Sequence, residues 1–340
     1  MGERFGGKSV APLDITLACG DYDRTRALAD GRVVPEGVEL RVVPLEPEEI
    51  FRRMVRHLEF DVSELSLSSY VISLQGDAPF VALPVFPSRA FRHNGIYVRA
   101  GAGIEQPGDL VGRRIGVAEY QLTANVWIRG ILAEFHGVPV ASVRYVTGGM
   151  HEAGRTEKLA IPALPEDVQL EACPEGRTLS ELLLEGDIDG MYTPRVPKSY
   201  HDGDPRVRRL FDDVRTAEGA YYDRTGIFPI MHVVAVRREL YEQHRWVARS
   251  LYKAFVAAKD LALDRLSETA ASAISLPWAY DEAAAVRRRM GEDFWSYGLG
   301  DENERALGTF LRYAAEQGIA KEALTPSELF APETLEDVLV

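Results

Sequence analysis

Side chains able to hold an anion or move a proton gather in a few short stretches of this chain. Phe60 to Tyr70 reads Phe-Asp-Val-Ser-Glu-Leu-Ser-Leu-Ser-Ser-Tyr, a short apolar strand that turns straight into a helical pattern. Ser66, Ser68 and Ser69 fall at or near the helix start. Serine is favoured there because its oxygen accepts a hydrogen bond from the unpaired N–H groups of the first turn. The spare N–H groups, the hydroxyls and the positive end of the helix dipole then suit a carboxylate, phosphate or sulfonate. The plainer role is an ordinary N-cap. A second junction repeats the design: the strand Ile115 to Ala118 leads into Glu119-Tyr120-Gln121-Leu122-Thr123-Ala124-Asn125, which opens a helix running through Phe135. Tyr120 and Thr123 stand at its mouth as hydroxyl contacts or as caps.

Three histidines are candidates for proton transfer, since imidazole titrates near neutral pH. His93 sits beside Arg92 at the start of an expected strand, Phe91 to Arg99; His232 lies in the apolar run Ile227 to Val236; His151 lies in the long irregular segment Thr147 to Leu164. Their structural alternatives are a bonded strand end, a bonded core residue and a solvated loop residue. Arg24 and Arg26 follow the first strand, and Arg195 follows the short strand Ile188 to Tyr192. Guanidinium groups grip carboxylates with a two-pronged fork, or form weak surface pairs. Arg92 and Arg155 are further candidates for that task. Asp21, Asp23, Asp61 and Glu64 can accept a proton or pair the arginines. No metal-ligand spacing, Gly-x-Gly-x-x-Gly or P-loop pattern occurs, so no metal and no organic cofactor is expected.

The elements that must position these groups alternate. Leu13 to Cys19 reads as strand, ending in the turn-rich Gly20-Asp21-Tyr22-Asp23. Val38 to Val43 is a second strand, and Glu46 to His57 is an amphipathic helix with Ile50, Met54 and Leu58 on one face. Phe80 to Val85, Val143 to Val146 and Arg206 to Phe211 read as further strands. Thr178 to Leu184 reads as a threonine-capped helix. From Arg238 the pattern is almost wholly helical to Ala315. No internal repeat and no low-complexity tract is present.

The bulk properties narrow the class. A chain of 340 residues holds one large or two ordinary domains. A net charge of −13 with no basic run argues against nucleic acid as a partner. No apolar run approaches membrane-spanning length, so no membrane partner is expected. Cys19 and Cys173 form no disulfide framework, and Met1 to Pro12 lacks a secretory pattern, so a cytoplasmic location is expected.

The turn Asp109-Leu110-Val111-Gly112-Arg113-Arg114-Ile115-Gly116-Val117 resembles the lobe-crossing segment of periplasmic-binding-protein-like folds of the second type. Those folds are α/β, with two lobes around a ligand cleft and a split first lobe. The resemblance implies lobe 1 at residues 1–100 and 228–340, with a helical C-terminal region, and lobe 2 at 101–227. Four runs, Leu17 to Leu28, Phe60 to Tyr70, Phe86 to His93 and Gly186 to Pro197, resemble 4,5-dihydroxyphthalate decarboxylases, and the likeness covers nearly the whole chain. It implies a cytoplasmic homo-oligomer that releases CO2 from a dihydroxylated aromatic dicarboxylate.

Direct loss of CO2 from such a ring would leave an unstable aryl anion. The easier route first protonates the ring carbon bearing the carboxylate, while a para hydroxyl feeds in electrons and becomes ketone-like. CO2 then leaves and aromaticity returns. The route needs a general acid, an acceptor at the phenol, a cation for the spectator carboxylate and a dry cleft. On this reading His93 is the first choice of proton donor and His232 the second. Arg24, Arg26, Arg92 and Arg195 hold carboxylates, and Ser66, Ser68, Ser69, Tyr120 and Thr123 complete the pocket. The competing readings are a transporter-type solute receptor, or a cytoplasmic sensor, for a small carboxylate; fold alone does not separate them.

Overall fold

A computed structural model describes residues 11–322 and 324–335. Residues 1–10 and 336–340, the outer ends of the expected first lobe, lie outside the described residues, as does most of the segment read as lacking a secretory pattern. The chain runs β1 (Leu13–Cys19), α1 (Asp23–Ala29), β2 (Val38–Pro44), α2 (Pro47–His57), β3 (Val62–Ser66), α3 (Leu67–Ser73) and β4 (Phe80–Leu83). It continues with β5 (Ile96–Arg99), β6 (Arg114–Val117), α4 (Thr123–His136), β7 (Arg144–Thr147), β8 (Gln169–Ala172), α5 (Leu179–Glu185), β9 (Gly190–Tyr192), α6 (Lys198–His201) and β10 (Val207–Arg209). It ends with α7 (Val214–Thr225), β11 (His232–Arg237), α8 (Arg238–Gln243), α9 (Trp246–Asp264), α10 (Ala279–Met290) and α11 (Asp301–Glu316).

The strands form two sheets, in the orders β2-β1-β3-β11-β4 and β10-β5-β9-β6-β7-β8. In the first, β1, β2 and β3 are parallel and β11 runs against both β3 and β4. In the second, β6, β7, β8 and β9 are parallel and β5 is antiparallel to β9 and β10. The α/β class is as expected. The chain changes sheet between β4 and β5, so the expected boundary at residue 100 lies just past β5. The expected strand Phe91 to Arg99 is shorter than its pattern, because His93–Gly95 coils into a 3-10 turn first.

The two crossings between sheets run side by side. Ala90 N–H donates to the Pro229 carbonyl (3.1 Å) and Met231 N–H to the Ser88 carbonyl (2.9 Å). Buried Arg89 fastens them, donating to the Phe228 and Ser296 carbonyls and to Asn303 Oδ1. The helical C-terminal region then docks on α4. A side chain at Gly130 would stand 2.2 Å from the Tyr313 ring, so only glycine admits α11 there. Gln317 completes the seal, accepting from Arg129 Nε (2.7 Å) and donating to the Val126 carbonyl (3.0 Å). No helix among the described residues is long and apolar enough to cross a membrane.

Candidate active site

Both sheets present strand ends to one cleft. β1 ends at Cys19 and β3 at Ser66, while β11 begins at His232, the register partner of Ser66. Opposite them, β6 and β9 end as register partners at Val117 and Tyr192. Loops leaving the carboxyl ends of parallel strands are where α/β sheets bind ligands. Here they enclose a cavity of about 450 Å³, whose lining includes Tyr22, Ser66, Arg92, Thr123, Lys158 and His232. That volume suits a single aromatic ring with substituents.

Glu64 organises one wall. Its side chain is fully buried on β3, and its Oε1 lies 2.5 Å from His232 Nδ1. Tyr22 Oη donates to the same oxygen (2.9 Å), and Gly20 N–H donates to Oε2 (2.9 Å). Gly20 is required: a Cβ there would stand 2.5 Å from the Tyr22 ring, which folds back over it. Burial pushes the Glu64 carboxyl up, but His232 and the N–H and O–H donors outweigh it and hold the group below the usual carboxylate value. Burial, reinforced by the Glu64 charge, pushes the Tyr22 phenol well up, so Tyr22 remains a donor. With Nδ1 committed to Glu64, His232 keeps Nε2 for exchange with a ligand. Phe51 stands edge-on to the imidazole at 4.8 Å and shields it.

The two strand-to-helix junctions meet. Ser66 Oγ, Ser68 Oγ and Thr123 Oγ1 form a closed triangle with sides of 2.9 to 3.1 Å, and Ser68 N–H donates to Thr123 Oγ1 (3.0 Å). Ser66 is the residue before α3 yet makes no side-chain cap. The hydroxyls therefore bridge the lobes instead of capping a helix. Ser69 lies behind them, buried with its Oγ unpartnered.

The cations divide by partner. Arg92 lines the cavity, has no carboxylate partner among the described residues, and donates through Nε toward Met231 Sδ (3.0 Å). Burial pushes its guanidinium down to about 10, against the pull of Glu218. Arg195 reaches Glu48 (2.9 Å) and Glu46 (3.6 Å) across the mouth. Arg155 joins Glu48 (2.9 Å) to the buried Glu119 (2.7 Å). Arg24 braces the wall from outside, 4.1 Å over the Tyr22 ring and bonded to the Pro87 carbonyl (2.6 Å). Arg26 is exposed and paired with Asp21 (3.0 Å).

Some expected residues are not brought to the cavity. His93, the first choice for proton transfer, is buried among His136, Phe211 and Tyr221 with its Nδ1 unpartnered. Burial, with His136 adding, pushes it down to about 4, so it is neutral. It does not line the cavity. Tyr120 is enclosed beneath Arg129, whose guanidinium lies 3.7 Å from its ring. Loop residue His151 is exposed and bonds Ser180 (3.0 Å). Conversely, the site also uses Tyr22, Glu48, Glu119 and Lys158, which no local pattern marks; the nearest signals are the turn at Gly20 to Asp23 and the long irregular segment after Thr147. No group of three or more His, Cys, Asp or Glu side chains among the described residues could hold a metal ion.

Two α/β lobes, paired crossings and a ligand-sized cleft at the strand ends define a periplasmic-binding-protein-like fold of the second type. The periplasmic aliphatic sulphonate binding protein SsuA of Escherichia coli superposes with a TM-score of 0.52 at 13% identity, covering 95% of this chain and 99% of that one. At that identity the likeness is one of fold. No family model matches the chain. A 4,5-dihydroxyphthalate decarboxylase of Comamonas testosteroni is 47% identical over 328 residues, 96% of this chain and 99% of that protein. One of Pseudomonas putida is 47% identical over 211 residues, 62% of this chain and 81% of that protein. The chain belongs to the 4,5-dihydroxyphthalate decarboxylase family and is thus a carboxy-lyase by kinship.

Proposed function

We propose that this protein converts 4,5-dihydroxyphthalate to protocatechuate and CO2 by protonating the ring carbon that carries the departing carboxylate. The observation that supports this most is the buried Glu64–His232 pair opening on a cavity beside the unpaired Arg92. Arg92 holds the spectator carboxylate as a charge-assisted pair. Glu64 fixes the His232 tautomer and steadies the imidazolium, as a buried carboxylate does in other acid–base pairs. His232 gives its Nε2 proton to the ring carbon, and the para phenol oxygen supplies the electron density. The C–C bond breaks, CO2 leaves, and its bonding electrons restore the aromatic ring. His232 recovers a proton from water, so one proton is consumed per CO2. Ser66 and Thr123 line the cavity, which places them beside the catechol oxygens. A solute receptor has no use for a shielded carboxylate–imidazole pair, which favours catalysis over simple binding.

The test is incubation of purified protein with 4,5-dihydroxyphthalate, following CO2 and the mono-acid catechol. Turnover without added cofactor is expected; tight binding with no product would overturn the reading. The same reading makes the protein a cytoplasmic homo-oligomer. Its two free thiols accord with a reducing compartment. The exposed Leu276 and Trp278 offer apolar surface for a second copy. Light scattering that finds only monomer at micromolar concentration would refute the assembly.

A further inference from the structure

An aromatic diacid carries two negative charges, and Arg92 answers one. We infer that Lys158 supplies the second carboxylate contact and sets the preference for a diacid over a mono-acid. The inference rests on the diacid reading of the cavity and assigns its second subsite.

Lys158 lines the cavity, on the long loop between β7 and β8. Its side chain is only 10% exposed, and its Nζ lies 2.8 Å from Oε1 of Glu119, itself 1% exposed. The Lys158 backbone N–H donates to the other oxygen of that carboxylate (3.0 Å). Main chain and side chain are thus clamped to one buried group, which fixes the rotamer before any ligand arrives. Pre-set geometry of this kind lowers the ordering cost of binding.

Glu119 does not need Lys158 as its ion-pair partner. Arg155 already meets Glu119 Oε1 with two donors, at 3.0 and 2.7 Å. Glu48 takes one guanidinium arm from Arg155 and one from Arg195, each at 2.9 Å, while Glu157, next to Lys158, accepts from the Tyr120 and Gln121 N–H groups and is pushed up by burial. Glu46 is 78% exposed and contributes little. Glu119 and Glu48 are thus each met by a guanidinium without calling on Lys158. Arg155 has its fork filled by carboxylates, and Arg195 is 54% exposed at the mouth. An ammonium offers three donors, and Lys158 Nζ uses one on Glu119. Lys158 therefore keeps donors for a ligand on the cavity wall. With Arg92 it offers one cation to each carboxylate of a diacid. The mono-acid product leaves one of the two cations unpaired, which favours its release.

The test is calorimetric titration of the full chain with phthalate, a diacid lacking the activating hydroxyls, and with benzoate. For Lys158→Gln, phthalate affinity should fall about 10- to 100-fold, the range for a lost bond to a charged group, and benzoate affinity less than about threefold. Lys158→Arg should restore most of the phthalate affinity. A second readout needs no variant: saturating phthalate should shield Lys158 from amine-directed labelling, read by peptide mass spectrometry, and benzoate should not. An unchanged phthalate-to-benzoate ratio in Lys158→Gln, equal losses for both acids, or labelling indifferent to phthalate would overturn the assignment. The decarboxylation reading fails separately: wild-type protein that binds phthalate through Lys158 but releases no CO2 from 4,5-dihydroxyphthalate keeps the subsite and loses the reaction.

Discussion

Two histidines follow the two lobe crossings, and they differ in everything but type. His93 follows the first crossing and is packed among aromatic rings with no acid beside it. His232 follows the second and finds a buried carboxylate on one side and a cavity on the other. Both rings pack against aromatic neighbours, but only His232 has a carboxylate at its Nδ1. A histidine becomes an acid–base group through its partner and its access, and neither is visible in its immediate sequence neighbours.

The largest expected effect tests that contrast directly. His232→Gln should lower kcat about 100- to 10,000-fold, the span for a lost general acid, with a near-native thermal midpoint. His93→Gln should change kcat less than about threefold. Equal losses would erase the distinction. Next, Glu64→Gln should lower kcat at least about 100-fold while changing phthalate binding only modestly, because Glu64 acts on the imidazole and not on the carboxylates; stopped-flow turnover beside calorimetry separates the two.

A pH experiment sharpens the His93 side. Its folded-state value of about 4 lies below the ordinary 6.5, so the unfolded chain binds the proton first as pH falls. The stability this implies is complete above 6.5 and is lost as pH falls toward 4, to a total of about 3 kcal/mol. Urea midpoints between pH 7 and 4 should therefore fall less steeply in His93→Phe than in wild type; parallel curves would contradict a neutral buried imidazole. The smallest effect is expected at the cleft mouth. Glu48 is 38% exposed, and pairs of that kind are weak and screened. Glu48→Gln should raise KM less than about fivefold and reduce the salt dependence of kcat/KM, measured between 20 and 300 mM salt.

Much of the fold was legible because its elements obey local rules. The β1 run, the α2 stripe through Ile50 and Met54, and the Thr178 cap formed as their patterns require, whereas Leu58, expected on the same stripe, ends α2 with a positive φ and is exposed. Of the site, the two hydroxyl-bearing junctions were legible, and the structure joins them through Ser66, Ser68 and Thr123. Their role was less so: pattern suggests caps, whereas tertiary contact turned the hydroxyls toward one another. Glu64 could be read only as one acid among several, since its partners Gly20, Tyr22 and His232 are 44, 42 and 168 residues away. Lys158 and Glu119 gave still less signal, because a loop carries no periodicity from which to infer orientation.

The docking of α11 on α4 bears on how this clamshell can breathe. A lid held by two adjacent cords can swing about them. This one is fastened again where Tyr313 lies on Gly130 and where Gln317 grips Arg129, and the same C-terminal segment accepts at the Ile319 carbonyl from Gln75, just past α3 (3.2 Å). A third anchorage turns a door into a tripod. Wide yawning would have to peel the tail from both lobes at once, so small molecules pass at the cleft mouth, beside the β7–β8 loop and its ionic studs.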